Sequence, residues 1–551
     1  TTTDGTFTVT QGKVEGKALT YLDFNGVGDY AYVSSSLANN KNTASVCFWF
    51  NTDTLSGVQY MFSCPDVSSG SNGFDIRIQD NVIKSVVKRS VATVSVDGVT
   101  TLSVDKWYHA ALVCDGTTQS LYLNGVLEAS ASNDTNSNSI EADAGSTQIG
   151  RFGSYGAYFN GSIRNIKFFD QGLSADQVAS LYSGTYPQTP AHWYKFDEGT
   201  GNPLDTGTET AANATNESAD WINGTLDLDG ALTIAANGTL SAPRGNLENK
   251  ADFENSGTYI HNNGTFIANA GGNRTYFDSG SAGVTFYNFN HSVSADLTFR
   301  KACTFENLLT CTSASANVIF DGTDAALTFT FGTTTAAATI DTNGTDAAEK
   351  GIKFANNGTN AITITGASSL YPVVCSGKAW HFDNGGSGSK VKLANIDYDP
   401  DITTGGAGVT ITLTGDCEFD AVTVSSGDTL DLNGQRAEFS GLLTAAGDVD
   451  FDGSLVVLAD LAAGGSANID NETTADLIFT GGADDISMAM RGTYKTVFIN
   501  NASNDYLTTN STSDWSNCAT TLICGSKLTT ANVMGCTNLT IPTGGTLDAQ
   551  D

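Results

Sequence analysis

Acids are the residues whose type and spacing could do chemistry in this chain. Asp397, Asp399 and Asp401 alternate in IDYDPD, and Asp448, Asp450 and Asp452 alternate in DVDFDG. On a strand each trio points to one side with neighbours about 7 Å apart, within the range an inverting glycosidase leaves between its carboxylates. Neither trio has a supporting constellation, and Glu141-Ala142-Asp143 lacks a third acid, so the chain is read as not being an enzyme. Like charges stacked on a sheet surface are ordinarily solvated or bridged by cations. A second oxygen-rich group, Asp23, Asn25 and Asp29, sits in one loop and offers ligands of the kind Ca2+ takes. Asn and Asp also fill turns through local hydrogen bonds, and that reading is preferred, with calcium kept as the one candidate cofactor.

Weaker patterns point to structure. Asn-Gly-Thr recurs at 223, 237, 263, 343 and 357; outside a eukaryotic secretory context Asn-Gly is a turn signal. Trp380-His381-Phe382 with Tyr371 could form an aromatic sugar platform or an internal stack. GGSGSK at 385–390 lacks the strand, loop and helix order of a phosphate loop. No C-x-x-C occurs among the ten cysteines, and the five histidines have no ligand spacing, which argues against zinc. The cysteines read as small buried hydrophobes, with Cys303/Cys311 and Cys518/Cys524 as pairs that could bridge outside a cell.

Charge narrows the partners. With 59 acids against 26 bases the formal charge is −33, a field that repels phosphate backbones and anionic lipid. Nucleic acid is therefore not an expected partner. No apolar run is long enough to span a membrane, so no membrane insertion is expected. Hydrophobic residues at 40% still support real cores, and 59 Gly with only 8 Pro suits many short strands joined by tight turns.

The elements that would carry these residues are strands. Trp107–Gly125, WYHAALVCDGTTQSLYLNG, alternates with period two as a strand covered on both faces, turns at Asp115-Gly116, returns through Leu121-Tyr122-Leu123, and turns again at Asn124-Gly125. This hairpin resembles the laminin-G-like, concanavalin A-type lectin/glucanase jelly roll. Leu22–Gly26 with Asp29–Val33 is similar to that family's first strand pair, and Ser45–Phe50 to its central core strand. Phe159–Phe169 resembles a closing strand, and Leu173–Val178 the short helix after it. That helix has a physical signature of its own: Ser174 as N-cap, Gln177 as capping-box partner, and Leu173 against Val178 as a staple. The resemblance spans about 15–185 and implies a jelly-roll β-sandwich, a fold that serves sugar-binding, protein-binding, enzymatic and spacing roles. Where the family usually places an acidic pair, this chain has Arg164-Asn165.

Beyond the jelly roll, 186–220 reads as a linker or returning strand containing His192-Trp193-Tyr194. From 221 to 551 a nine-residue register recurs at 232–240, 422–430 and 539–547, each copy a short strand, a polar turn and a short strand. Such repeats spell a β-solenoid resembling a parallel β-helix, with alternate side chains filling a narrow core. Residues 1–14 read as solenoid-like opening strands, so the expectation is that the chain is part of a longer solenoid or a homo-oligomer joined end to end. The predicted fold class is thus all-β, a jelly-roll sandwich plus a long β-solenoid.

The repeats resemble, in texture, those of large marine phage structural proteins and bacterial adhesins. The function this implies is a non-enzymatic virion surface fibre or decoration protein, on the virion surface or extracellular. Its jelly roll would contact host or cell-surface glycan or neighbouring subunits, and its solenoid would act as spacer. Two alternatives stay open: a bacterial cell-surface adhesin or extracellular filament subunit, and a polysaccharide-degrading spike.

Overall fold

The structure is a computed structural model. It describes the chain apart from residues 1–5, 16–19, 67–70, 90–91, 133–138, 143–144, 154–156, 186–188, 278–281, 292, 312–315, 342–351, 356–359, 371, 377–389, 399–401, 405–407, 452, 464–467, 471–473, 481–493, 500–506, 509–514, 525–526, 531–533, 542, 544–545 and 550–551. The described residues are β-strands joined by turns, with one eight-residue α-helix. Two compact units divide them: residues 15–225 with 243–245, and residues 1–14 with 226–242 and 246–551.

The strand β1 (Phe7–Glu15) leads the chain, and the first unit then follows as a sandwich. Its strands are β2 (Tyr21–Asn25), β3 (Tyr30–Val33), β4 (Ala44–Thr52), β5 (Gln59–Asp66), β6 (Ser71–Gln79), β7 (Val82–Arg89), β8 (Ala92–Asp97), β9 (Trp107–Cys114), β10 (Thr118–Leu123), β11 (Val126–Ser132), β12 (Thr147–Ile149) and β13 (Asn160–Phe169). After the helix α1 (Ala175–Tyr182) come β14 (His192–Tyr194), β15 (Thr215–Glu217) and β16 (Asp220–Ile222). One sheet runs β11-β10-β9-β4-β13-β2-β16 with β14 also on β13, and the facing sheet runs β15-β3-β12-β5-β6-β7-β8. Alternation decides which side chains meet between them. Leu22, Phe24, Phe48, Phe50 and Ile163 from the first sheet pack against Ala31, Val33, Phe62, Phe74 and Ile76 from the second.

The two ends of this unit are fixed by local chemistry. Ser174 Oγ accepts from the Gln177 amide at 3.2 Å, and Gln177 Oε1 accepts from the Ser174 amide at 2.8 Å, closing the expected capping box. Leu173 and Val178 are both buried beneath the helix with Cys47, Ala111 and Phe169. From 189 to 220 the described chain stays with the sandwich: β14 pairs β13, β15 pairs β3, and β16 pairs β2. Asp205 holds that segment, its carboxylate accepting from the amides of Trp193, Gly207 and Ala212 and lying 2.6 Å from His192 Nδ1.

The second unit is a parallel β-solenoid. One inward column runs in backbone register from Leu226 through Leu247, Phe266, Phe289, Leu309, Ile340, Cys375, Tyr398, Phe419, Phe439 and Leu458 to Phe479. A second column, Leu232, Phe253, Tyr276, Phe299, Phe320 and Phe354, lies on another sheet. Rings from the columns interlock, with Phe253 on Phe266 at 5.4 Å and Phe289 against Phe299 at 5.3 Å. Each buried Phe contributes roughly 1.5–3 kcal/mol by leaving water, so these rings dominate the stability of the coils they join. The nine-residue register is a solenoid corner: Leu232–Ile234 pairs with 253–255 while Thr239–Ser241 pairs with 258–260. The second copy splits likewise into Val422–Val424 and Thr429–Asp431. The strand β1 heads the sheet that continues through Leu232–Ser241.

Cys47, Cys64, Cys114, Cys303, Cys311, Cys375 and Cys417 are buried thiols, and Cys303 and Cys311 are not bridged: their thiols donate to Lys301 O and Ala316 O. Cys518 and Cys524 have no described side chain. Among the described residues no helix is long and apolar enough to cross a membrane.

Candidate functional site

Because Phe48 and Phe50 point into the sandwich, Trp49 must point outward, and the register sets its neighbours. Trp49 is opposite His109 on β9 and Arg164 on β13. One step along, Trp107, Asn51, Ser162 and Asp23 lie side by side across β9, β4, β13 and β2. The helix α1 covers one end of this outer face and stops at Tyr182, which is 40% exposed and stacks on Trp49 at 5.6 Å. The outcome is a stripe of rings across four strands. Tyr182 stacks on Trp49, the Arg164 guanidinium sits 5.7 Å from Trp49 and 4.5 Å from Trp107, and Trp107 meets Tyr21 edge-on at 5.2 Å. The strands of Trp107 and Tyr21 are three steps apart, about 14 Å at the usual strand spacing. Their rings therefore lean together above Asn51 and Ser162 on the strands between.

Arg164-Asn165, the departure noted in the sequence, makes this possible. The β13–β4 register slips between Arg164 and Lys167, and Asn165 takes a φ of 58°, a bulge conformation Asn tolerates. Asn165 Oδ1 accepts from Trp193 Nε1 at 2.7 Å and from Lys167 Nζ at 2.8 Å. Burial lowers the Lys167 ammonium to about 8, and burial followed by the Lys167 charge pushes His109 down to about 3, so His109 is neutral at ordinary pH.

Acids border the Trp107 end. Ser162 Oγ donates to Asp23 Oδ1 at 2.6 Å. Burial, with the charges of Asp23 and Asp105 adding, raises the Asp53 carboxyl. Burial and the neighbouring Asp23 likewise raise the Tyr21 phenol, against the opposing charge of Arg164. This face offers flat ring surfaces with fixed hydrogen-bonding groups at their edges, an arrangement that suits binding.

The three loop residues make separate hydrogen bonds. Asp23 faces the stripe, whereas Asn25 Oδ1 accepts from the amides of Val27 at 2.8 Å and Gly28 at 3.1 Å, and Asp29 Oδ2 accepts from the Asn25 amide. These oxygens close the turn, and among the described residues no group of three or more His, Cys, Asp or Glu side chains could hold a metal. Asp448 and Asp450 lie on the outward side of their strand, with Val449 buried between them. Asp450 is in register with Asp431 and Asp470 of the neighbouring coils. Asp397 is opposite Glu418; Asp399, Asp401 and Asp452 lie outside the described residues, as do Tyr371 and Trp380–Phe382. Asn223, Asn237 and Asn263 are exposed, and Asn263 has a turn-type φ of 61°. Asn343 and Asn357 lie outside the described residues.

The strand Trp107–Cys114 is covered on both faces as expected from Tyr108 to Cys114, and only its first residue, Trp107, is half-buried on the outer surface. The available signal was Trp49 between two core phenylalanines. What sequence lacks is the strand order that carries Trp107 and Tyr21 together.

Residues 25–179 match the family model described as the concanavalin A-like lectin/glucanases superfamily. No curated protein sequence matches the chain significantly. Among solved structures it is similar to a Bacteroides ovatus protein with a proposed carbohydrate-binding role, at 18% identity over 37% of this chain and 59% of that one, TM-score 0.31. It is also similar to the heptameric SAP-like pentraxin of Limulus polyphemus, at 16% identity over 37% of this chain and 96% of that one, TM-score 0.29. A third is domain 4 of the extracellular arabinanase AbnA of Geobacillus stearothermophilus in complex with arabinotriose, at 21% identity over 29% of this chain and 75% of that one, TM-score 0.24. The chain thus spans about three fifths of the first of these, and the likenesses say nothing of what it binds. Within the all-β architecture described above, residues 25–179 form a jelly roll that matches the concanavalin A-like lectin/glucanases superfamily model.

Proposed function

We propose that this chain is a non-enzymatic surface fibre or decoration protein of a virion, with a glycan-contacting jelly roll and a solenoid that provides length. The observation that carries the glycan reading is the stripe Tyr182, Trp49, Arg164, Trp107 and Tyr21 on one outer sheet face. Pyranose rings present apolar C–H faces that stack on aromatic planes, while the edges of the stripe carry groups able to hydrogen-bond hydroxyls. The solenoid suits a spacer because each coil adds one strand spacing; the column from Leu226 to Phe479 spans roughly 50 Å at about 4.8 Å per step.

Two measurements test this reading. Immunogold labelling of native particles should place the chain on a capsid or tail; label confined to sheared bacterial appendages would transfer the account to a cell-surface adhesin. Incubating the full chain with soluble polysaccharides should release no reducing ends, and release abolished by Asp450→Asn would replace it with a degrading spike.

A further inference from the structure

The stripe is not electrically neutral along its length, and its charge pattern selects among glycans. Asp23 stands in the cross-strand row of Ser162, Asn51 and Trp107, the Asp105 amide donates to Thr52 O at 3.0 Å, and the Asp53 amide donates to Asn160 O at 3.1 Å, so the three carboxylates border the end formed by Trp107 and Tyr21. The cation in their midst, Arg164, is already stacked against two tryptophan rings, 4.5 and 5.7 Å from their centres. Lys106, the next cation along, lies 5.2 Å over the Tyr108 ring. An anionic sugar placed on Trp107 would face these carboxylates, whereas a neutral sugar could donate its hydroxyl protons to them as acceptors.

We propose that this face binds glycans built from neutral or amino-substituted pyranoses and rejects those bearing uronate, sialate or sulfate. The inference rests on the glycan reading and specifies its ligand class. The half-buried ring of Trp107 and the exposed ring of Tyr182, which itself stacks on Trp49, take the C–H faces of the sugars, and Asp23 and Asp53 accept from hydroxyl or ammonium groups at their edges. The molecule's charge of −33 acts in the same direction at long range.

The test is calorimetric titration of the full chain with cellohexaose, mannohexaose, chitohexaose and glucosamine hexamer, beside hexagalacturonate and sialyllactose, all at near-physiological salt. At least one neutral or amino hexamer should bind, and its affinity should fall about tenfold or more in Trp107→Ala and recover largely in Trp107→Phe. Asp23→Asn should weaken the amino hexamer more than the neutral ones. Galacturonate or sialyllactose binding that is lost in Trp107→Ala would overturn the charge selection while leaving the glycan reading in place. A neutral glycan bound equally by wild type and Trp107→Ala would overturn the assignment to this face. No binding by either class would overturn the glycan reading itself. Matched circular dichroism and unfolding midpoints separate loss of binding from loss of fold.

Discussion

The Arg164 guanidinium lies 4.5 Å from the centre of the Trp107 ring, reaching it from β13 across β4. The guanidinium fixes two rings in place, since it also lies 5.7 Å from Trp49. Truncating it should therefore loosen the stripe before it affects the core. Arg164→Ala is expected to cost about 0.5–2 kcal/mol in unfolding free energy and to shift tryptophan emission to the red as Trp49 and Trp107 meet water. Equilibrium urea unfolding and fluorescence spectra of the two proteins check both.

Corner glycines of the solenoid should resist substitution. A Cβ on Gly257 would fall 2.3 Å from the carbonyl oxygens of both Ala235 and Gly238, and one on Gly447 would meet Ser425 and Asp428 carbonyls at 2.3 and 2.4 Å. Both glycines stack over a corner of the nine-residue register one coil earlier. Gly257→Ala and Gly447→Ala should each lose about 1–3 kcal/mol through forced backbone shifts. Hydrogen exchange should place the loss in the adjoining coils.

Phe299 touches rings in both columns, including Tyr276 at 5.9 Å and Phe289 at 5.3 Å. Phe299→Ala should cost about 3–5 kcal/mol. Because each coil contacts chiefly its neighbours, the damage should be local. Limited proteolysis is expected to cut within the adjacent coils while leaving the jelly roll intact.

Asp75 gives the sandwich a pH dependence. Its side chain is wholly buried on β6, paired with Arg77 at 2.8 Å, and burial raises its carboxyl from 3.8 to about 7 against the opposing charge of Arg77. Between those values the folded chain retains a proton that the unfolded chain has released. Stability from this group therefore falls as pH rises from about 4 to 7 and levels off above. Unfolding midpoints measured across that window should slope less in Asp75→Asn than in wild type.

How much of this was legible varies with the range of the interaction. Ser174 and Gln177 are three residues apart, and their capping box is visible in sequence because it is local. The solenoid was legible through Leu232–Leu240 and its copies, since one coil's alternation is repeated by the next. The stripe was not. It joins residues 21, 49, 107, 164 and 182, and their meeting depends on the order β9-β4-β13-β2, set by distant pairings. His192-Trp193-Tyr194 shows the same limit: its alternation reads as a strand, but only the register Ile166 to Tyr194 places it on β13.

Calcium provides a further check, because Asn25 and Asp29 close their own turn. Chelation should leave the unfolding midpoint of the full chain unchanged. A rise on adding calcium, abolished by Asp23→Asn, would instead assign a cation to this loop.

The most direct test of the central claim is a glycan array probed with the full chain and with Trp107→Ala side by side. The account predicts a set of glycans held by the wild type and lost by the variant. Equal binding by both proteins, or none by either, would contradict it.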